Sequence, residues 1–223
     1  MLSTGIPLDN YSVILRCRNE ERYIGYCIQS LVDFLGDDVE IVLVDNESTD
    51  DSVRIANTFD YLNIKKVNIT KNDYSPGRAL NLGVENCTND YIFIISAHCE
   101  IVKLNPTDVI NNLDSGYSAI WGKQIPLWNG KKITPRYMWS NFGDKSTVNY
   151  FCENEDRYFL HNACAFYYKY TLIDYPFDED LSGKEDRYWA NDIIENGKEI
   201  YYDSDIVVNH HYTGDGATWL GVG

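Results

Sequence analysis

At 223 residues the chain is long enough to bury a full core as one domain. Its 34 acidic and 19 basic residues give a formal charge of -15 and a pI near 4.5, which excludes a basic nucleic-acid face and charge-driven adhesion to an anionic membrane. Nothing approaches the roughly eighteen consecutive apolar residues of a membrane span, and "MLSTGIPLDN" lacks the basic and apolar regions of a signal peptide. The expected location is therefore cytoplasmic, with peripheral attachment at the inner membrane face as the variant.

In chain order, "YSVILR" (11–16) reads as a strand and "EERYIGYCIQSLVDFLG" (20–36) as an amphipathic helix with Ile24, Cys27, Ile28, Leu31 and Leu35 on one face. "VEIVLVD" (39–45) is too uniformly apolar for a half-exposed strand, and in "STDDSVRIANTF" Ser48 and Asp51 have the spacing of a capping box. "IKKVNI" (64–69) is a third strand; "SPGRALNLGVEN" (75–86) starts a helix with Ser75 as cap and Pro76 in the first turn; "YIFIIS" (91–96) is a fourth strand. Strands alternating with helices predict an α/β fold, a mainly parallel sheet covered on both faces.

Beyond residue 100, "NPTDVINNLDSG" predicts a helix capped at Asn105 and "YSAIWGKQI" another strand. Residues 124–158 hold Trp128, Tyr137, Trp139, Phe142, Tyr150 and Phe151 without clean periodicity, as a functional loop or lid does. "FLHNACAFYYK" (159–169), a helix over 185–197 and a strand over 205–211 follow, and "YTGDGATWLGVG" reads as a flexible tail. The organisation expected is one domain over 1–223, with a first half at 11–104, a second at 105–212 and the tail at 213–223.

Ligands of an open α/β sheet bind outside the carboxyl ends of its strands. Polar residues gather at those ends: Arg16 and Arg18, Asp45 and Asn46, Ser96 and His98, His210 and His211. The six cysteines, at 17, 27, 87, 99, 152 and 164, form no Cys-x-x-Cys pair and read as reduced packing residues; Cys99 becomes a nucleophile only beside a base or a positive field. The dinucleotide fingerprint, the phosphate loop, Gly-x-Ser-x-Gly and His-Glu-x-x-His are all absent. Arginines suited to phosphate, an Asp-Asn pair suited to a base or ribose, and histidines able to hold a metal remain.

Three segments, "VILRCRNEERYIGYCIQSL…VEIVLVDNESTDDSVRIA", "YSPGRALNLGVENCTNDYIFIISAHCEI" and "FDEDLSGKEDRYWANDIIENGKEIYYDSDIVVNHH", together resemble family 2 glycosyltransferases of the GT-A fold, bacterial surface-polysaccharide enzymes in particular. The likeness runs from about residue 11 to 212, in the family's order. It implies a Rossmann-like, mostly parallel central sheet flanked by helices. It also implies an inverting transfer from a nucleotide-diphosphate sugar, a UDP-sugar favoured, to a saccharide or lipid-linked saccharide. By position, Arg16, Arg18 and Glu20 edge the nucleotide pocket, Asp45 and Asn46 meet the base or ribose, Arg78 partners the diphosphate and Ser96 belongs to the donor site, which makes residues 11–104 the nucleotide-sugar-binding half and 105–212 the acceptor half. Where relatives carry Asp-x-Asp this chain has Ser96-Ala97-His98, so His98 takes the metal-binding place, with His210 as second ligand. Imidazole favours Mn²⁺ over Mg²⁺ in that divalent site. Glu185-Asp186 resembles the family's Glu-Asp pair, which makes Asp186 the base that deprotonates the acceptor and Glu185 a group that orients it. A helix dipole also favours acids in a first turn, so the pair has a structural reading as well.

Trp121, Trp128, Trp139, Trp189 and Trp219 are candidates for an acceptor groove, or for core. Two alternatives stand beside transfer: a sugar nucleotidyltransferase, which would need a Gly-rich loop after the first strand, and a nucleotide-sugar-binding module without turnover. Oligomeric state is left open by the sequence.

Overall fold

The computed structural model describes residues 11–132, 143–153 and 155–212. The elements are β1 (Tyr11–Cys17), α1 (Ile24–Leu35), β2 (Glu40–Asp45), α2 (Ser52–Ala56), β3 (Asn63–Asn68), α3 (Pro76–Asn86), β4 (Tyr91–Ser96), β5 (Cys99–Lys103), α4 (Pro106–Asp114) and β6 (Ala119–Trp128). They continue with β7 (Lys131–Lys132), β8 (Thr147–Val148), β9 (Phe151–Cys152), β10 (Arg157–Tyr158), β11 (Cys164–Tyr168), α5 (Lys169–Asp174), α6 (Glu185–Glu195) and β12 (Ile200–His211).

The main sheet runs β3-β2-β1-β4-β11-β6-β12-β5. β1, β2, β3 and β4 are mutually parallel and β12 is parallel to β6, while β11 and β5 run against their neighbours. Alternate residues of the apolar strands serve opposite faces, which explains their unbroken apolar centres. Val13, Leu15, Ile41, Leu43, Phe93 and Ile95 pack with α1, α2 and α4; Ile14, Val42, Val44, Ile92 and Ile94 pack with α3, α5 and α6. Each such side chain contributes about 1.5–3 kcal/mol by leaving water, and truncating Ile14 to Ala would cost about 2–5 kcal/mol.

The motif "SPGRALNLG" is explained by packing. The Ser75 hydroxyl accepts from the Arg78 amide as the α3 cap, as expected. A Cβ on Gly77 would lie 2.2 Å from the Asp178 carbonyl oxygen, so only glycine lets α3 meet this segment. Asn81 then clamps the segment: its Nδ2 donates to the Phe177 carbonyl at 2.9 Å and its Oδ1 accepts from the Phe177 amide at 3.0 Å. The chain leading into α6 is thereby docked on α3.

One local expectation is corrected. Ser48 does not cap α2; Asp51 precedes that helix without a side-chain cap, and Ser48 Oγ instead takes the Asn19 amide at 3.0 Å. β4 stops at Ser96, as expected; the chain then turns at Ala97 and His98 and returns as β5 against β12, a strand the sequence did not reveal. Tyr137, Trp139, Phe142, Trp219 and the tail from 213 lie outside the described residues.

Candidate active site

Parallel strands end together, so the sheet delivers Arg16, Asp45, Ser96 and His210 to one rim. α6 meets it there. Arg16 Nη1 donates to Glu185 Oε1 at 3.1 Å, linking β1 to the first turn of α6 across 169 residues. Burial, then the adjoining Asp186 carboxylate, pushes Glu185 above the usual carboxylate range, and the Arg16 guanidinium pulls the other way. Beside it, Asp186 is buried, its Oδ2 accepting from the Asn162 amide at 3.2 Å and its Oδ1 from the Arg187 amide at 2.9 Å. These backbone donors fix the direction of the carboxylate. Lys184, just before α6, adopts a left-handed backbone with φ 63.

The second part of the rim is a file of histidines. His98 Nδ1 lies 2.8 Å from Glu20 Oε1 and its Nε2 lies 2.9 Å from His210 Nε2; His210 Nδ1 lies 2.6 Å from Gln124 Oε1. His161 packs edge-on to His210 at 5.9 Å between ring centres, and its Nδ1 accepts from the Ala163 amide at 3.0 Å. Burial pushes His161 down to about 4, against the pull of the Asp186 carboxylate, so the ring is neutral at pH 7. Its Nδ1 lone pair is engaged, and Nε2 carries the hydrogen. Asn162, next in the chain to His161, donates its amide to Asp186, and His161 packs against His210, which joins the carboxylate corner to the histidine file in one site.

Asp45 is buried, accepts from the Ser48 amide at 3.2 Å and lies 3.7 Å from Lys66. Asn46 donates to the Ile69 carbonyl at 3.3 Å, and its buried Oδ1 has no hydrogen-bond partner among the described residues. That orphaned acceptor suits a ligand donor. Ser96 is buried at the end of β4. Glu20 is buried against His98 rather than lying open at a pocket edge. Arg18 is exposed in the bend after β1. Arg78 stands on the surface 3.9 Å from Asp73.

Cys99 is fully buried and burial drives its thiol up, so the nucleophile reading finds no support; all six cysteines are reduced and buried. Trp121 and Trp189 are core residues, while Trp128 is exposed. Sequence reading missed Gln124, His161, Asn162 and Glu155. The buried Glu155 carboxylate faces Arg187 at 3.3 Å, Arg157 at 3.7 Å and Lys184 at 4.0 Å, balancing the cations gathered around Asp186.

Among the described residues no set of three or more His, Cys, Asp and Glu side chains is arranged to hold a metal. A cation here would take its remaining ligands from diphosphate oxygens and water. The donor set fits that arrangement, because His98 and His210 each have Nδ1 anchored and direct Nε2 to a common point. No described helix is long and apolar enough to cross a membrane.

The model described as Glycosyl transferase family 2 matches residues 12–175. The poly(ribitol-phosphate) beta-N-acetylglucosaminyltransferase TarS of Staphylococcus aureus is 25% identical over 201 residues, 87% of this chain and 34% of that protein. The O-antigen chain rhamnosyltransferase RfbN of Salmonella typhimurium is 26% identical over 183 residues, 78% of this chain and 57% of its own. The chain thus spans about a third of TarS and somewhat over half of RfbN. Residues 1–349 of S. aureus TarS with UDP-GlcNAc superpose at TM-score 0.72 and 24% identity, over 94% of this chain and 60% of that one. GalNAc-T7 with UDP, GalNAc and Mn²⁺ superposes at TM-score 0.70 and 14% identity, over 93% and 44%. These likenesses establish the GT-A fold.

Proposed function

The chain belongs to glycosyl transferase family 2, and from that membership we propose that it moves a sugar, with inversion, from a nucleotide-diphosphate sugar to a hydroxyl of a saccharide or lipid-linked saccharide. The observation that carries this reading is the meeting of Arg16 with the Glu185-Asp186 turn at the rim that also holds His98 and His210. Solved relatives on this fold contain UDP-GlcNAc and UDP, which favours a UDP-sugar as donor. TarS is named for poly(ribitol-phosphate) and RfbN for the O-antigen chain, so polysaccharide assembly is the setting proposed, with the cytoplasm as its place in the cell.

Asp45 and Asn46 receive the base and ribose, Ser96 and Arg16 lie toward the diphosphate, and Glu185 holds Arg16 in place. Asp186 takes the proton of the acceptor hydroxyl as its oxygen attacks the anomeric carbon. The bond from that carbon to the phosphate oxygen breaks on the opposite face, and the nucleoside diphosphate leaves with the electron pair. A divalent ion, Mn²⁺ favoured, would be held by His98 and His210 and would neutralise charge on the diphosphate.

Incubation with UDP-, GDP- and dTDP-sugars plus Mn²⁺ and saccharide acceptors, followed by ¹H NMR of the anomeric proton, tests this reading. Released UDP with an inverted product is expected. Tight UDP binding without release from any donor would mark a binding module, and formation of a sugar nucleotide from sugar phosphate would mark a nucleotidyltransferase.

A further inference from the structure

His98 and His210 meet nearly coplanar, their rings inclined by 19° with the two Nε2 atoms 2.9 Å apart. The opposite nitrogen of each ring faces an acceptor: Glu20 Oε1 at 2.8 Å for His98, and Gln124 Oε1 at 2.6 Å for His210. A carboxylate oxygen and an amide carbonyl accept hydrogen bonds and do not donate them, so both Nδ1 atoms carry hydrogen. Each ring then has Nε2 left to offer a lone pair. Two lone pairs facing at 2.9 Å repel unless a positive centre lies between them.

We propose that Glu20 and Gln124 are positioning residues that fix both histidines as Nδ1–H tautomers and so make the His98–His210 pair a two-nitrogen clamp for a divalent cation. This rests on the reading of that pair as cation ligands. For ligands about 2.1 Å from an ion, neighbouring corners of an octahedron lie about 3 Å apart, the spacing the pair already has. Both anchors are rigid. The Glu20 carbonyl accepts from the Tyr23 and Ile24 amides at 2.9 Å and its own amide donates to Ser52 Oγ at 2.7 Å, so the start of α1 holds it. Gln124 lies in β6 in register with Val208 of β12, two residues before His210, so the sheet fixes it.

The anchors are unequal. Glu20 brings the pair's one formal negative charge, buried at 5% exposure, and a carboxylate behind an imidazole strengthens it as a ligand; Gln124 orients without adding charge. Glu20 therefore governs affinity, while either anchor governs tautomer. His161 is excluded from the clamp through Nε2, because its Nδ1 accepts a hydrogen bond and it holds the opposite tautomer.

Calorimetric titration of MnCl₂ into UDP-saturated protein tests the proposal without turnover. Glu20→Gln is expected to weaken Mn²⁺ binding about 10–100-fold with an unchanged circular dichroism spectrum. The swap Glu20→Gln with Gln124→Glu, which returns the carboxylate behind the other ring, is expected to recover most of that loss. Long-range ¹H–¹⁵N spectra with Zn²⁺ in place of Mn²⁺ should show Nδ1 protonated on both His98 and His210. Equal Mn²⁺ affinity in the native chain and Glu20→Gln, or no recovery in the swap, would overturn the proposal while leaving the cation site standing. Protonation of His210 at Nε2 would also overturn it, replacing the clamp by an N–H···N bond. No Mn²⁺ uptake by the UDP-bound native protein would remove the cation reading itself, and this inference with it.

Discussion

Arg16 and Glu185, 169 residues apart, form an ion pair of 3.1 Å that ties the end of β1 to the first turn of α6. Both side chains are largely removed from water, at 19% and 6% exposure. Cutting one partner strands the other's charge, so Arg16→Ala should cost about 2–3 kcal/mol in urea unfolding. Replacing both by Met should restore most of the stability, because two apolar chains satisfy one another, yet UDP affinity should stay low. Restored stability together with restored affinity would make the pair purely structural.

The contact between α3 and the approach to α6 leaves no room. Gly77→Ala places a methyl group 2.2 Å from the Asp178 carbonyl oxygen and must push the docked segment away. A loss of about 1–3 kcal/mol is expected. Transfer should fall further than UDP affinity, since the displaced segment carries Asp186 and not the nucleotide pocket. Denaturant midpoints and UDP titrations measured side by side check this.

The neutral His161 makes the fold sensitive to acid. Its folded value near 4 lies below the ordinary 6.5, so the unfolded chain takes the proton first as pH falls. The stability this group contributes is present above pH 6.5 and is lost on descending through the folded value near 4. Between pH 7 and pH 5 it amounts to about 2 kcal/mol. His161→Gln, which keeps a donor and cannot titrate, should flatten the fall in denaturation midpoint over that range; an unchanged profile would contradict the assignment.

The parallel sheet was readable because strands buried on both faces run apolar through their centres, as Ile41 to Val44 do in "VEIVLVD", and because Ser75 and Pro76 signal a helix start through local chemistry. The return of β5 was not. Cys99 to Lys103 combines two buried residues with polar and exposed ones at an edge of the sheet, and that pattern looks like the polar end of β4. Strand-end logic found Arg16, His98 and His210, since parallel strands terminate together. Their partners were invisible for a physical reason: Gln124 reaches His210 across 86 residues and Asn81 reaches Phe177 across 96, so no local pattern records either contact. Arg78, in the motif that Ser75 opens, is exposed with its guanidinium 3.9 Å from Asp73.

The central claim is that Asp186 performs proton transfer at the rim where other residues, Arg16, Asp45 and Ser96, make the nucleotide contacts, and Asp186→Asn measures it most directly. The amide keeps the shape and one acceptor oxygen, but cannot take the acceptor's proton. Sugar transfer should fall by about 10²–10⁴-fold while UDP affinity, measured by calorimetry, stays within about twofold. Transfer at the native rate, or a loss of UDP affinity as large as the loss of rate, would contradict the account.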